Sequence, residues 1–255
     1  MFLERGTHRL HYRIDGDHGP WLVFCNSLGT DLAMWDPQLS LARDVRILRY
    51  DRRGHGQSTA PPPPYSIADL AGDVLALLDE LAIPRAHFCG LSIGGLVGQW
   101  LGIHAPERID RLIVCATAAR IGTPASWQQR IAHVTANGLA ALVPATTDRW
   151  FSPAFVAAHA PLVATMLAPF ADVAPRAYVG CCEALAACDL RADLPRIAAP
   201  LLAISGTDDA VCPPAELQLI ADTVRAGQHV SLSGRHLINV EAADDFTARV
   251  REFLR

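Results

Sequence analysis

The chain has 255 residues, 51% of them hydrophobic, and a formal charge of −4. That length and apolar content suffice for one large α/β domain with an insertion, or for two small domains, and they argue against disorder. No basic run accompanies the slight acidity, which argues against a nucleic-acid partner, and no apolar run approaches the ~18 residues that a bilayer span requires. Met1-Phe2-Leu3-Glu4-Arg5-Gly6 lacks the apolar core of a signal peptide. The seven cysteines are odd in number and scattered through apolar stretches such as Val23-Phe24-Cys25 and Ile113-Val114-Cys115. Free core thiols in a reducing cytoplasm are therefore expected. The adjacent Cys181-Cys182 pair has neither CxxC nor zinc spacing, so no metal is expected.

In chain order, His8 to Ile14 alternates as a half-buried strand does, and Asp15 to Pro20 is a turn. Trp21 to Cys25 is a continuous apolar run, the mark of a strand covered on both faces, and Val45 to Tyr50 is another strand. Pro61 to Pro64 reads as a stiff surface connection. Ser66 is a candidate N-cap for a helix reaching Leu81, with Ile67, Leu70, Val74, Leu77, Leu78 and Leu81 at helical spacing. Arg85 to Cys89 predicts a buried strand, and Gly95 to Leu101 the start of a helix. Arg111 to Cys115 and Pro200 to Ile204 are further buried strands. A helix begins near Pro213-Pro214, His229 to Leu232 is a last strand, and a helix through Phe246 and Phe253 closes the chain. Alternation of this kind implies a mostly parallel sheet with helices on both faces.

From about Ile121 to Asp189 the alternation stops. Trp127, Ile131, Trp150, Phe151, Phe155, Met166, Phe170 and Tyr178 are spread through Ala-rich, Pro-interrupted helical stretches. The expected organisation is a core of residues 1–120 and 190–255, with 121–189 as a helical cap over the sheet's C-terminal edge, where open α/β sheets bind ligands. A separate helical domain packed elsewhere is the alternative.

Gly90-Leu91-Ser92-Ile93-Gly94 stands at the strand-to-helix corner and has the G-x-S-x-G pattern of a nucleophile elbow. Glycines two residues either side of the serine permit a corner too tight for side chains. A serine nucleophile needs a base, and the base an orienting carboxylate, which in this arrangement follow in the order serine, acid, histidine after later strands. Gly206-Thr207-Asp208-Asp209 and Gly234-Arg235-His236-Leu237 are the loops that satisfy that order. His236 is the expected base. The acid is Asp208 or Asp209; resemblance to hydrolases whose triad acid stands four residues before a proline placed like Pro213 favours Asp209, with Asp208 as a turn-former. An oxyanion hole would take the N–H of Ile93, at the helix N-terminus, and one from the Asn26-Ser27-Leu28-Gly29 loop, by position that of Leu28.

With these segments in place, the sequence resembles the α/β-hydrolase superfamily across essentially its whole length. Tyr50-Asp51-Arg52-Arg53-Gly54-His55-Gly56-Gln57-Ser58 is similar to the D-x-R-G-x-G-x-S turn beside the elbow, a structural element in which His55 has no catalytic part. Cys25-Asn26-Ser27-Leu28-Gly29-Thr30-Asp31, with Met34-Trp35, resembles the 3-oxoadipate enol-lactonases, where other hydrolases usually carry His-Gly. Ile121 to Pro124, Trp127, Arg130, Arg149 to Phe151, Cys181 to Leu185 and Asp189 to Arg191 are similar to the cap of that family. The resemblance implies a cofactor-free cytoplasmic serine hydrolase of aromatic-compound breakdown, opening a small enol-lactone, taken as a dicarboxylate dianion, to 3-oxoadipate. It implies no nucleic-acid or membrane partner and leaves homo-oligomerisation open. Ser27, Trp127, Arg130, Trp150 and Arg176 are the candidates to bind that substrate, the arginines for its carboxylate and the tryptophans as walls. A general carboxylesterase or a cofactor-free perhydrolase on the same residues is the alternative, and a non-catalytic ligand receptor a more distant one.

Overall fold

A computed structural model describes residues 1–255. The chain opens with strands β1 (Phe2–Glu4), β2 (Arg9–Asp15) and β3 (Trp21–Cys25), a 3-10 stretch (Leu32–Arg43), and β4 (Arg46–Tyr50). It continues through α1 (Ile67–Glu80), β5 (Ala86–Leu91), α2 (Ile93–His104) and β6 (Ile109–Cys115). Five helices follow without a strand: α3 (Pro124–Asn137), α4 (Val143–Trp150), α5 (Pro153–Ala158), α6 (Ala160–Asp172) and α7 (Pro175–Ala187). The last elements are β7 (Leu201–Gly206), α8 (Pro214–Thr223), β8 (Gly227–Leu232), the one-turn α9 (Ile238–Glu241) and α10 (Ala243–Leu254).

The strands form one sheet in the order β1-β2-β4-β3-β5-β6-β7-β8, antiparallel at β1, β2 and β4 and parallel from β4 to β8. Every residue of β5 and of β7 is buried. Since successive side chains point to opposite faces, both faces of the sheet's centre are covered. This accounts for the continuous apolar runs that mark these strands in the sequence. Helix α1 starts where expected, on a capping box in which Ser66 and Asp69 satisfy each other's backbone N–H groups.

Strand order reverses direction between β3 and β5, so the loops leaving these two strands diverge and open a crevice at their C-terminal ends. The loops after β3, β5, β7 and β8 all lie at this edge, because those strands are parallel. The helices of 124–187 are tied to it. Leu237 N–H donates to Trp150 O at 3.1 Å. The Glu241 carboxylate accepts from Ser152 N–H at 3.2 and 3.3 Å and from Arg235 N–H at 2.9 Å. The Arg235 guanidinium donates to Phe151 O at 3.3 Å and also to Asp148 O. No helix is long and apolar enough to cross a membrane.

Candidate active site

Ser92 sits between β5 and α2 at φ 59°, ψ −119°, a backbone conformation that costs a non-glycine residue about 1–3 kcal/mol and occurs where function requires it. Its neighbours explain how the corner closes. A Cβ on Gly90 would lie 2.1 Å from Gly94 O, and one on Gly94 would lie 2.2 Å from Cys25 O. The strained peptide is held from both sides: Ser92 N–H donates to Cys115 O at 2.9 Å, and Thr117 Oγ1 donates to Ser92 O at 2.7 Å.

Asp209 and His236 come together across the ends of β7 and β8. His236 Nδ1 donates to Asp209 Oδ2 at 2.8 Å, and both side chains are buried. The other carboxylate oxygen accepts from Val211 N–H at 2.8 Å and Cys212 N–H at 3.1 Å, which fixes its rotation. With its Nδ1 proton committed to a carboxylate, the imidazole presents the Nε2 lone pair. Asp208 is exposed, its only side-chain contact a 3.4 Å bond from Thr207 Oγ1. Ser92 and His236 line the same cavity, with no hydrogen bond between them in this unliganded arrangement.

Two N–H groups beside that cavity have no acceptor in the chain. One is that of Ile93, the first residue of α2; the other is that of Leu28, in the loop after β3. Unpaired donors of this kind, one at a helix N-terminus, suit a developing oxyanion.

The cavity measures about 60 Å³ and runs from Ser92 and His236 to the helices of 124–187. Ser27, Trp127, Arg130 and Trp150 line it, as do Thr146, Arg149, Phe170 and Tyr178. Trp127 and Arg130 stand at i, i+3 on α3, and Thr146, Arg149 and Trp150 at i, i+3, i+4 on α4, so each helix offers one face. Trp127 Nε1–H is pinned to Ile121 O at 2.6 Å, and Trp150 meets the Phe170 ring edge-on at 5.6 Å. Neither Arg130 nor Arg149 pairs with a carboxylate. Burial of part of its side chain and the like charge of Arg130 both lower the pKa of Arg149, which stands at the exposed rim.

Arg176 does not belong with them. It is exposed on α7 beside Pro61 and Pro62. Residues two apart on a helix lie about 200° apart around its axis, so α7 turns Tyr178 to the cavity and Arg176 away from it. A larger open cleft of about 540 Å³ lies beside Arg111, His229 and Phe253, but it is at the N-terminal ends of β6, β7 and β8, away from Ser92. Asp209, Cys212 and His236 bring three ligand-type atoms within 4.8 Å of one another. Both Asp209 oxygens already accept N–H donors, and burial pushes the Cys212 thiol well above its usual range, so this set orients the imidazole and does not suit a metal.

Comparison with known proteins shows what the chain is similar to. Residues 20–172 match the family described as "alpha/beta hydrolase fold". The chain is 41% identical to 3-oxoadipate enol-lactonase 2 of Acinetobacter baylyi, over 92% of this chain and 89% of that protein. It is 34% identical to a putative carbamate hydrolase of Variovorax paradoxus, over 96% of both chains. The crystal structure of the enol-lactonase from Burkholderia xenovorans LB400 superposes with a TM-score of 0.98 at 43% identity, covering 100% of this chain and 99% of that one. An elbow serine, a carboxylate-held histidine on later loops and these likenesses over nearly the whole length lead to one assignment: the chain belongs to the α/β-hydrolase fold family.

Proposed function

We propose that this hydrolase opens 3-oxoadipate enol-lactone to 3-oxoadipate, with Ser92, His236 and Asp209 as its triad, in the reducing cytoplasm that seven unpaired cysteines favour. The observation that carries the reading is the cavity itself. Ser92 and His236 line it together with two arginines that have no acidic partners. An ester whose acyl or alcohol part carries a carboxylate fits that polarity. Ring closure takes up one of the two carboxyl groups of 3-oxoadipate, so the lactone carries a single free carboxylate, one fewer than a dianionic substrate. Arg130 and Arg149 take that carboxylate, Trp127 and Trp150 flank the ring, and residues 121–189 act as the cap.

Ser92 Oγ attacks the lactone carbonyl while His236 Nε2 takes its proton, and Asp209 stabilises the imidazolium that results. The N–H groups of Leu28 and Ile93 hold the tetrahedral oxyanion, a contribution of about 10²–10³ per donor in related chemistry. Ring opening releases an enolate, a better leaving group than an alkoxide, which His236 protonates before it becomes the ketone. Water activated by His236 then frees the acyl group from Ser92.

The test is a Ser92→Ala protein alongside wild type labelled with a serine-directed fluorophosphonate. Wild type should carry one label on Ser92 and turn over the lactone far more efficiently than nitrophenyl esters. The Ser92→Ala protein should fold, bind 3-oxoadipate and show no turnover. Retained activity in that variant removes the mechanism, and equal efficiency on both substrate types makes the protein a general carboxylesterase.

A further inference from the structure

Arg52 is among the largest fully buried side chains in the protein, 1% exposed, and no carboxylate accompanies it. Its Nη1 donates to Ser27 O at 3.1 Å, its Nη2 donates to Asn26 O and approaches Cys25 Sγ at 3.8 Å, and its Nε–H has no partner. The groups around it do not neutralise it. Burial pushes the Cys25 thiol and the Tyr50 phenol up, and the Cys181 thiol up to about 11, so all three stay protonated at neutral pH. A buried guanidinium without a counter-ion carries a desolvation penalty of several kcal/mol, and hydrogen bonds to two carbonyls recover only part of it. Such a group calls for an explanation beyond packing.

The two carbonyls it holds belong to the loop after β3. In a trans peptide the C=O and the following N–H point in opposite directions. Ser27 O accepts from Arg52 Nη1, from Thr30 Oγ1 at 3.0 Å and from Thr30 N–H at 3.4 Å, all on one side. The Leu28 N–H of that same peptide unit is therefore turned the other way and has no acceptor in the chain, and Leu28 and Ser27 both line the cavity with Ser92. Donation of a charged N–H to the carbonyl also polarises the peptide unit and strengthens its N–H as a donor.

We infer that Arg52 is a positioning residue for the oxyanion hole, fixing the Ser27–Leu28 peptide plane and setting a buried positive charge behind it. This rests on Ser92 as nucleophile and Leu28 N–H as an oxyanion donor, but not on which ester is the physiological substrate. The role applies to any acyl transfer at Ser92. Arg52 does not touch the substrate; it acts through the peptide it holds. Its effect falls on the transition state, where negative charge develops, and not on ground-state binding.

The experiment compares wild type, Arg52→Lys and Arg52→Met, with kcat expressed per active site titrated to completion by the fluorophosphonate. Substrates are the enol-lactone and 4-nitrophenyl acetate, and binding of phenylboronic acid and of 3-oxoadipate is measured in parallel. Arg52→Met should lower kcat by about 100-fold on both substrates with KM within threefold, the scale of one lost oxyanion donor. Its phenylboronic acid affinity should fall in step while 3-oxoadipate affinity holds. Arg52→Lys keeps the charge but cannot span two carbonyls, and kcat should fall about tenfold. If Arg52→Met does not fold, Arg52→Lys carries the test by the same kcat-against-KM split. Unchanged kcat per titrated site, or a loss confined to KM, overturns the inference. Absence of any label on wild-type Ser92 overturns the underlying reading instead, and a wild type that labels yet ignores the lactone overturns only the substrate assignment.

Discussion

Replacing Asp209 with asparagine exchanges one carboxylate oxygen for an NH₂ and changes little else in shape. Two orientations compete. If the amide oxygen keeps the Val211 and Cys212 N–H groups, at 2.8 and 3.1 Å, the NH₂ faces His236 Nδ1 where Oδ2 stood at 2.8 Å. The reverse orientation strands two buried backbone donors at about 1–3 kcal/mol each, so the first prevails by roughly 30-fold or more. Facing an NH₂, His236 accepts at Nδ1 and carries its proton on Nε2, the nitrogen that must receive the Ser92 proton. Loss of kcat should approach the ~10⁴-fold that the corresponding change produces in a chymotrypsin-type triad, about 5.4 kcal/mol. Asp208→Asn, at an exposed side chain with one long contact, should stay within about twofold. Steady-state hydrolysis of the lactone measures both, and ¹⁵N NMR of the His236 ring reads the tautomer directly. An Asp209→Asn enzyme within tenfold of wild type, or an Asp208→Asn enzyme equally crippled, would refute this assignment.

Arg130→Ala and Arg149→Ala should each raise KM for the enol-lactone by about 10–100-fold, the range of a charge-assisted hydrogen bond, while leaving a neutral nitrophenyl ester nearly untouched. Arg176→Ala should change neither, and an effect there equal to that of Arg130 would contradict the cavity assignment. His55 offers a stability test. Burial, then the neighbouring charge of Arg52, lower its pKa from the usual 6.5 to about 3. Below pH ~6.5 the unfolded chain takes up a proton that the folded protein refuses until about pH 3, so this group's stability is fully present above 6.5 and lost as pH falls through that window. Urea unfolding of wild type should lose roughly 1.4 kcal/mol per pH unit there from this group alone. A His55→Asn protein should show a slope shallower by about that amount, and parallel slopes would dismiss the burial argument.

How much of this was legible in the sequence depended on whether chemistry or packing decided the residue. Ser92, His236 and Asp209 were readable because a strained corner demands glycines and because parallel strands put every following loop on one edge. Strand β1 was not read from the sequence, since three residues carry no periodicity. Neither was the 3-10 stretch Leu32–Arg43, which Pro37 interrupts. The helical character of 121–189 was evident from composition, but which face of each helix looks inward depends on how short helices settle against the sheet. That is why the sequence offers Trp127 and Arg130, spaced i, i+3, as candidates but not Arg149, and why it also offers Arg176, which the phase of α7 turns away from the cavity. Arg52 lay in plain view within the glycine-rich turn, yet nothing in its sequence neighbourhood reveals that its partners are carbonyls from another loop.

The ties between His236's loop and the segment Trp150–Ser152 bear on how a ligand reaches Ser92. At about 60 Å³ the cavity holds a few waters, well short of the several hundred Å³ common for small-molecule sites. Trp150 O, Phe151 O and Ser152 N–H are bonded to Leu237, Arg235 and Glu241, so lifting that segment breaks bonds to the residues on either side of His236. The C-terminal end of α4 is thus a fixed doorpost, and a ligand that reaches Ser92 passes a wall whose position is tied to the loop of His236. A change that loosens this wall is therefore felt at the His236–Asp209 pair as well.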